Sequence, residues 1–230
     1  MSRYLLKLSG EALSSQGKYD DAVILGIAKQ VKELVGKGDQ IGIVIGGGNY
    51  WRGRSNANDD VRRIKADQIG MLATVMNCIY VSEMFRSIGL PSKILTPFAC
   101  STFTELFSAD LAISGMENGE VIFFAGGTGH PYFSTDTGVV LRAIEVGAEQ
   151  IYMAKAIDGV YDSDPKIHPE AKKYDSITFD EIISGNLQVI DLTAAILARD
   201  NHMKMSVFDL TEENSILKAM SGDFNGTRIY

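Results

Sequence analysis

Ile41-Gly42-Ile43-Val44-Ile45-Gly46-Gly47-Gly48-Asn49 is the stretch on which the reading of this chain turns. An apolar run of this length, bounded by glycine, reads as a strand covered on both faces, as in parallel sheets. The three glycines behind it carry no side chains, so their backbone can approach a ligand closely and present N–H groups to an anion. Each costs about 0.5–1 kcal/mol relative to alanine, which points to a steric need for the missing side chains. The alternative is a tight strand-to-helix turn with no ligand.

A second loop of this kind lies in Leu5-Leu6-Lys7-Leu8-Ser9-Gly10-Glu11-Ala12-Leu13. A strand ending in a lysine, a hydroxyl and a glycine offers a positive point charge, a donor and pliable backbone, which are the requirements of a phosphoryl group in transfer. The alternative is a surface lysine beside a turn. Neither loop fits the common nucleotide signatures. After Gly46 and Gly48 a dinucleotide fold wants glycine at position 51, which is Trp51, and after Gly127 and Gly129 it wants one at 132, which is Tyr132. A P-loop wants Gly-Lys-Ser or Gly-Lys-Thr where the chain has Trp51-Arg52-Gly53-Arg54.

Strand-like runs at 4–8, 40–45, 92–95, 121–125, 150–154 and 205–208 alternate with helical spacing at 23–35, 64–88, 135–146 and 192–199. Asp20 or Asp21 is placed to cap the first helix, and Gly36 or Gly38 to stop it. Apolar strands alternating with helices predict an α/β three-layer sandwich, a mostly parallel sheet covered by helices on both faces. Ligands in such sheets sit beyond the carboxyl ends of the strands. The loops there, at 9–10, 46–54, 126–135 and 155–164, are the most polar and glycine-rich in the chain. The segment 158–174, with Pro165 and Pro169, reads as a loop or short hairpin arm.

The 230 residues are 45% hydrophobic and 22% charged, enough for one domain, 1–230, with a substantial core. A net charge of −7 argues against a nucleic-acid or anionic-membrane binder, although Arg52, Arg54, Arg62, Arg63 and Lys65 form a local basic cluster. Two cysteines, Cys78 and Cys100, read as reduced packing residues, and three scattered histidines argue against a transition-metal site. A first strand starting within a few residues of Met1, and no apolar run of membrane-spanning length, predict a cytoplasmic protein without a membrane partner.

In the third loop, hydroxyls at Thr128, Ser134 and Thr135 and the aromatic pair Tyr132 and Phe133 suit a phosphate and a flat base at a helix N-terminus. Asp136, in the first helical turn, either stabilises that turn, orients Lys7 or meets the metal that accompanies a nucleotide triphosphate. In the fourth loop Tyr161 can stack on a purine and Asp164 can bond a ribose or a base edge, or Asp158-Gly159 is turn chemistry alone.

Six ordered motifs then carry a resemblance across essentially the whole chain: LLKLSGEAL (5–13), VIGGGNYWRG (44–53), ADQIGMLATVMN (66–77), TGHPYFSTDT (128–137), IDGVYDSDP (157–165) and IDLTAAILARD (190–200). Together they resemble the bacterial uridylate kinases of the amino acid kinase superfamily. The resemblance implies transfer of the ATP γ-phosphoryl group to UMP with magnesium held mainly by the nucleotide phosphates, in a homohexamer under GTP and UTP control. It implies catalytic roles for Lys7, Arg52 and Asp136. It places Lys7, Leu8, Ser9, Gly10, Gly48, Arg52, Tyr161 and Asp164 on the ATP side. The UMP side takes Gly47, Asp67 on the ribose, and the loop Thr128, Gly129, His130, Pro131, Tyr132, Phe133, Ser134 and Thr135. His130 departs from the asparagine common in that loop, and Lys155, Arg54 and Asp191 are left without an assigned task. The rivals are a sister enzyme phosphorylating a small carboxylic acid, and a nucleotide-sensing subunit without turnover.

Overall fold

The run behind the triple glycine is indeed a central strand. A computed structural model describes residues 2–15, 18–51 and 60–230. The chain runs β1 (Arg3–Leu8), a 3-10 turn (Glu11–Leu13), the ribbon β2 (Ser14–Ser15) and β3 (Lys18–Tyr19), α1 (Asp21–Gly36), β4 (Gln40–Ile45), α2 (Arg63–Ser87), β5 (Ser92–Thr96), β6 (Glu105–Leu106), α3 (Ala109–Glu117), β7 (Val121–Phe124) and α4 (Thr135–Glu145). It continues through β8 (Gln150–Lys155), the ribbon β9 (Val160–Tyr161) and β10 (Lys173–Tyr174), β11 (Ser176–Ile177), α5 (Phe179–Ser184), α6 (Leu192–Asp200), β12 (Lys204–Asp209), α7 (Ser215–Ser221) and β13 (Gly226–Ile229).

Nine strands form one sheet in the order β11-β13-β12-β8-β1-β4-β7-β5-β6. Every neighbouring pair is parallel except β12 with β13. Because side chains alternate along a strand, each strand feeds two cores. Leu5, Val44, Ile122, Phe124, Ile151 and Met153 pack with residues of α3 to α6. Leu6, Leu8, Ile43, Ile45, Phe123, Tyr152 and Ala154 pack with α1, α2 and α7 on the other face. The three-layer expectation holds, and β1 and β4 lie side by side at its centre, Leu8 opposite Ile45.

All six expected strands and all four expected helices are present. Asp20 caps α1, accepting from Ala22 N and Val23 N, each at 3.1 Å. The helix continues through Gly36 and is capped at Lys37. The helical run expected at 64–88 is one unbroken helix, Arg63–Ser87, and the arm at 158–174 contains the antiparallel ribbon β9–β10. Cys78 is buried and Cys100 half-buried, both as free thiols.

Phe123 is fully buried on β7 and meets Phe85 of α2 edge to face, with ring centroids 5.2 Å apart. Phe123→Ala is expected to cost about 3–5 kcal/mol in urea unfolding; a cost below about 1 kcal/mol is inconsistent with this packing.

Candidate active site

The alternation that fills the two cores also builds the site. Leu5 points to the α4 side, so Lys7, two residues on, points there too. Ile151 and Met153 of β8 share that face, and Lys155 ends the same series. At the rim both ammonium groups meet Asp136 in the first turn of α4: Lys7 Nζ lies 3.1 Å from one carboxylate oxygen and Lys155 Nζ 4.0 Å from the other. Lys155 also donates to the carbonyl of Val189.

Burial alone drives the Asp136 carboxyl up, but the Lys7 and Lys155 charges outweigh it and hold the group below its ordinary value of 3.8. Burial pulls the Lys155 ammonium below its ordinary value, with Asp136 opposing. Two cations thus share one carboxylate at the N-terminus of a helix, an arrangement that leaves positive potential for an incoming anion.

This floor belongs to a cleft of about 990 Å³, large enough for nucleotide-sized ligands. Ser9, Gly10 and Gly46–Gly48 form one wall, with Asp67, Gly70, Met71 and Thr74 of α2 beside them, and the 127–136 loop faces them. Of the triple glycine, Gly47 answers a steric need whose source is packing, whereas a Cβ at Gly46 would find nothing nearer than 3.7 Å. A Cβ at Gly47 would lie 2.8 Å from Gly70 O and 2.9 Å from Ala73 Cβ, because α2 passes directly over the loop. A Cβ at Gly10 would lie 2.3 Å from Gly46 O. Glycine therefore lets the two loops and α2 close on one another, and among the described residues the next helix after Gly48 is α2, from Arg63.

Asp67 stands on the cleft wall, where its carboxylate accepts from Tyr132 N at 2.8 Å and from Arg63 Nε at 2.9 Å. Tyr132 adopts φ +73°, a left-handed conformation that costs a tyrosine strain, and the bond to Asp67 holds it there. The Arg63 guanidinium lies 5.4 Å from the centre of the Tyr132 ring. Ser134 caps α4, accepting from Asp136 N and Thr137 N, and its hydroxyl donates to Asp191. Asp191 in turn caps α6 through Ala194 N at 3.0 Å and accepts from Thr137 Oγ1 at 3.1 Å. It thus ties the helix behind the cleft to the helix that carries Asp136.

Of the residues expected from the sequence, Lys7, Ser9, Gly10, Gly47, Gly48, Asp67, Thr128, His130, Tyr132, Phe133, Ser134, Thr135 and Asp136 all line the cleft. Gly129 and Pro131 belong to the same loop without lining it. Leu8 is fully buried in the core below, its carbonyl accepting from Gly46 N at 3.0 Å. Tyr161 and Asp164 lie on the arm, outside the lining: Tyr161 donates to Asp158 at 2.7 Å, and Asp164 accepts from Lys166 N at 2.9 Å. Arg52 and Arg54 fall outside the described residues. Two residues left unassigned by the sequence, Lys155 and Asp191, are structural parts of the floor. Of the wall formed by residues 182–195, the sequence singles out the motif at 190–200 with Asp191 in it but no task for that residue, and the 182–189 side carries no such signal.

Comparison with known proteins agrees with this architecture. The amino acid kinase family matches residues 2–209. A uridylate kinase of Mycoplasmopsis pulmonis is 45% identical over 232 residues, covering 99% of this chain and 96% of the relative. One from Bacteroides thetaiotaomicron is 42% identical over 230 residues, covering 99% and 98%. The crystal structure of a UMP kinase from Bacillus anthracis superposes with a TM-score of 0.94 at 33% identity, covering 99% of this chain and 95% of that one. The chain belongs to the amino acid kinase family.

The depressed Asp136 value has a definite sign. A carboxyl that titrates lower in the folded than in the unfolded state adds stability above the unfolded value, and loses it as pH falls through the folded one. Asp136→Asn is therefore expected to be less stable than the parent at neutral pH, with a gap that narrows as pH drops below about 4. Urea unfolding at stepped pH reads this; a gap independent of pH contradicts it.

Proposed function

We propose that this protein is an ATP-dependent UMP kinase, transferring the γ-phosphoryl group of ATP to UMP to give UDP and ADP in pyrimidine nucleotide synthesis. The observation that carries the reading is Lys7 paired with Asp136 between two abutting glycine loops, on a chain whose full-length relatives are named uridylate kinases. The domain spans 1–230. UMP lies with its ribose toward Asp67 and its base along the 128–135 loop. The ATP phosphates lie over Ser9 and Gly10, with the nucleoside toward Tyr161 and Asp164.

An acceptor phosphate is already anionic at neutral pH, so the work of the protein is alignment and charge neutralisation. Lys7 and Arg52 bear on the transferred group, Lys155 joins them from β8, and Asp136 holds the two lysines in register. Among the described residues no cluster of three or more His, Cys, Asp or Glu comes together, and the Asp136 carboxylate is shared between two ammonium groups. This donor set fits a magnesium ion carried on the nucleotide phosphates, which Asp136 would face from the cleft floor. When bound, that ion neutralises phosphate charge.

The same reading extends to a cytoplasmic homohexamer responsive to GTP and UTP. No helix among the described residues is long and apolar enough to cross a membrane. Ile69, Leu72 and Met76 form an exposed apolar stripe on α2, the kind of surface that assembly covers.

ADP release, followed with UMP, CMP, glutamate or buffer as acceptor, tests the assignment. UMP-dependent release is expected, with Lys7→Ala lowering kcat about a hundredfold or more. Release that does not depend on UMP, or a folded Lys7→Ala protein with unchanged turnover, refutes it.

A further inference from the structure

Asn77 of α2 is fully buried, does not line the cleft and has no part in the chemistry described so far. Its carboxamide is nevertheless saturated. Nδ2 donates to Gly46 O and to Asn49 Oδ1, both at 2.8 Å. Oδ1 accepts from Tyr19 Oη at 2.9 Å and from Asn49 Nδ2 at 3.1 Å. The two asparagines thus form a reciprocal amide pair. Asn49 Nδ2 also donates to Ser14 Oγ at 3.1 Å, and Ser14 Oγ donates to Gly10 O at 3.3 Å.

One side chain therefore joins the loop after β4 directly, and through Asn49 and Ser14 the loop after β1. The loops themselves leave no slack, since a Cβ on Gly10 would stand 2.4 Å from Asn49 Oδ1 and 2.9 Å from Asn77 Nδ2. Packing alone asks only for an apolar residue at 77, between the buried Val75 and Cys78. A fully satisfied amide network instead specifies a single arrangement of the groups it joins.

We propose that Asn77 is a positioning residue for phosphoryl transfer: its carboxamide fixes the spacing and tilt of the two glycine loops, and so the line along which donor and acceptor phosphates meet. The inference rests on the UMP kinase reading above. Misplacement of reacting groups by about 1 Å costs on the order of a hundredfold in rate, so a brace of this kind acts on turnover more than on the binding of either nucleotide alone.

The test compares the parent protein with Asn77→Asp, which keeps the shape but loses both donations, and with Asn49→Ala, which opens the pair from its less buried side. Calorimetric titrations with magnesium use UMP alone, the non-hydrolysable ATP analogue AMP-PNP alone, and the bisubstrate compound in which adenosine and uridine are joined by five phosphates. Single ligands read the integrity of each loop, whereas the joined ligand reads the distance between them. In both variants UMP and AMP-PNP are expected to bind within about threefold of the parent, while the joined compound weakens, and kcat falls, by about tenfold or more. Should Asn77→Asp fail to fold, Asn49→Ala decides alone. Unchanged affinity for the joined compound, or equal losses for all three ligands, overturns the positioning role. A parent protein that binds neither UMP nor the joined compound overturns the kinase reading with it.

Discussion

The pairing of Lys7 with Asp136 is the contact around which the site is organised. A strand buried on both faces has no place for an ammonium group except at its end, and even there the charge needs a partner close by. Strand alternation aims Lys7 at α4, and the first turn of α4 supplies the carboxylate. That carboxylate is itself largely buried and stays ionised because Lys7, with Lys155 approaching from β8, offsets the cost of burial. Removing Asp136 leaves two neighbouring ammonium groups poorly solvated and unpaired, which is costly, so the cluster persists only as a complete set.

Helix α2 holds the other half of the cleft in place. Its inward stripe of Ala66, Gly70, Ala73, Thr74 and Asn77 is small or polar, and this lets the helix ride on the glycine loop instead of on a thick apolar layer. From that position it delivers Asp67 to the wall, and Thr74 Oγ1 to Gly126 N at 2.8 Å. The glycine loop, the helix and the loop after β7 are therefore fastened to one another, which suits a site in which two ligands must be aligned.

Much of this was legible in the residues themselves. The six central strands announce themselves because they are apolar on both faces, and the loops that follow them carry the polar and glycine residues. Lys7 and Asp136 could be singled out because each sits at the junction of a strand or helix with such a loop. The edges of the sheet were not visible. β6 and β11 are two residues long, too short for any period, and β13 carries Gly226 and Arg228. α5 and α7 are only six and seven residues long. Lys155 and Asp191 escaped assignment because their roles arise from strand order and helix packing, which bring β8, α4 and α6 together across long stretches of chain. Leu8 shows the converse: a residue inside a site motif whose side chain serves the core while its backbone serves the loop.

Asp67 reaches across the cleft. Its carboxylate already receives two donors from the protein, one of them the amide of a tyrosine held in an unfavourable backbone conformation. The two oxygens of a carboxylate offer about four acceptor positions, so Asp67 holds both of these donors and keeps capacity for another from the cleft. One side chain thus fastens the α2 wall to the loop on the far side of the cleft, and the strained backbone of Tyr132 is held only as long as that fastening lasts.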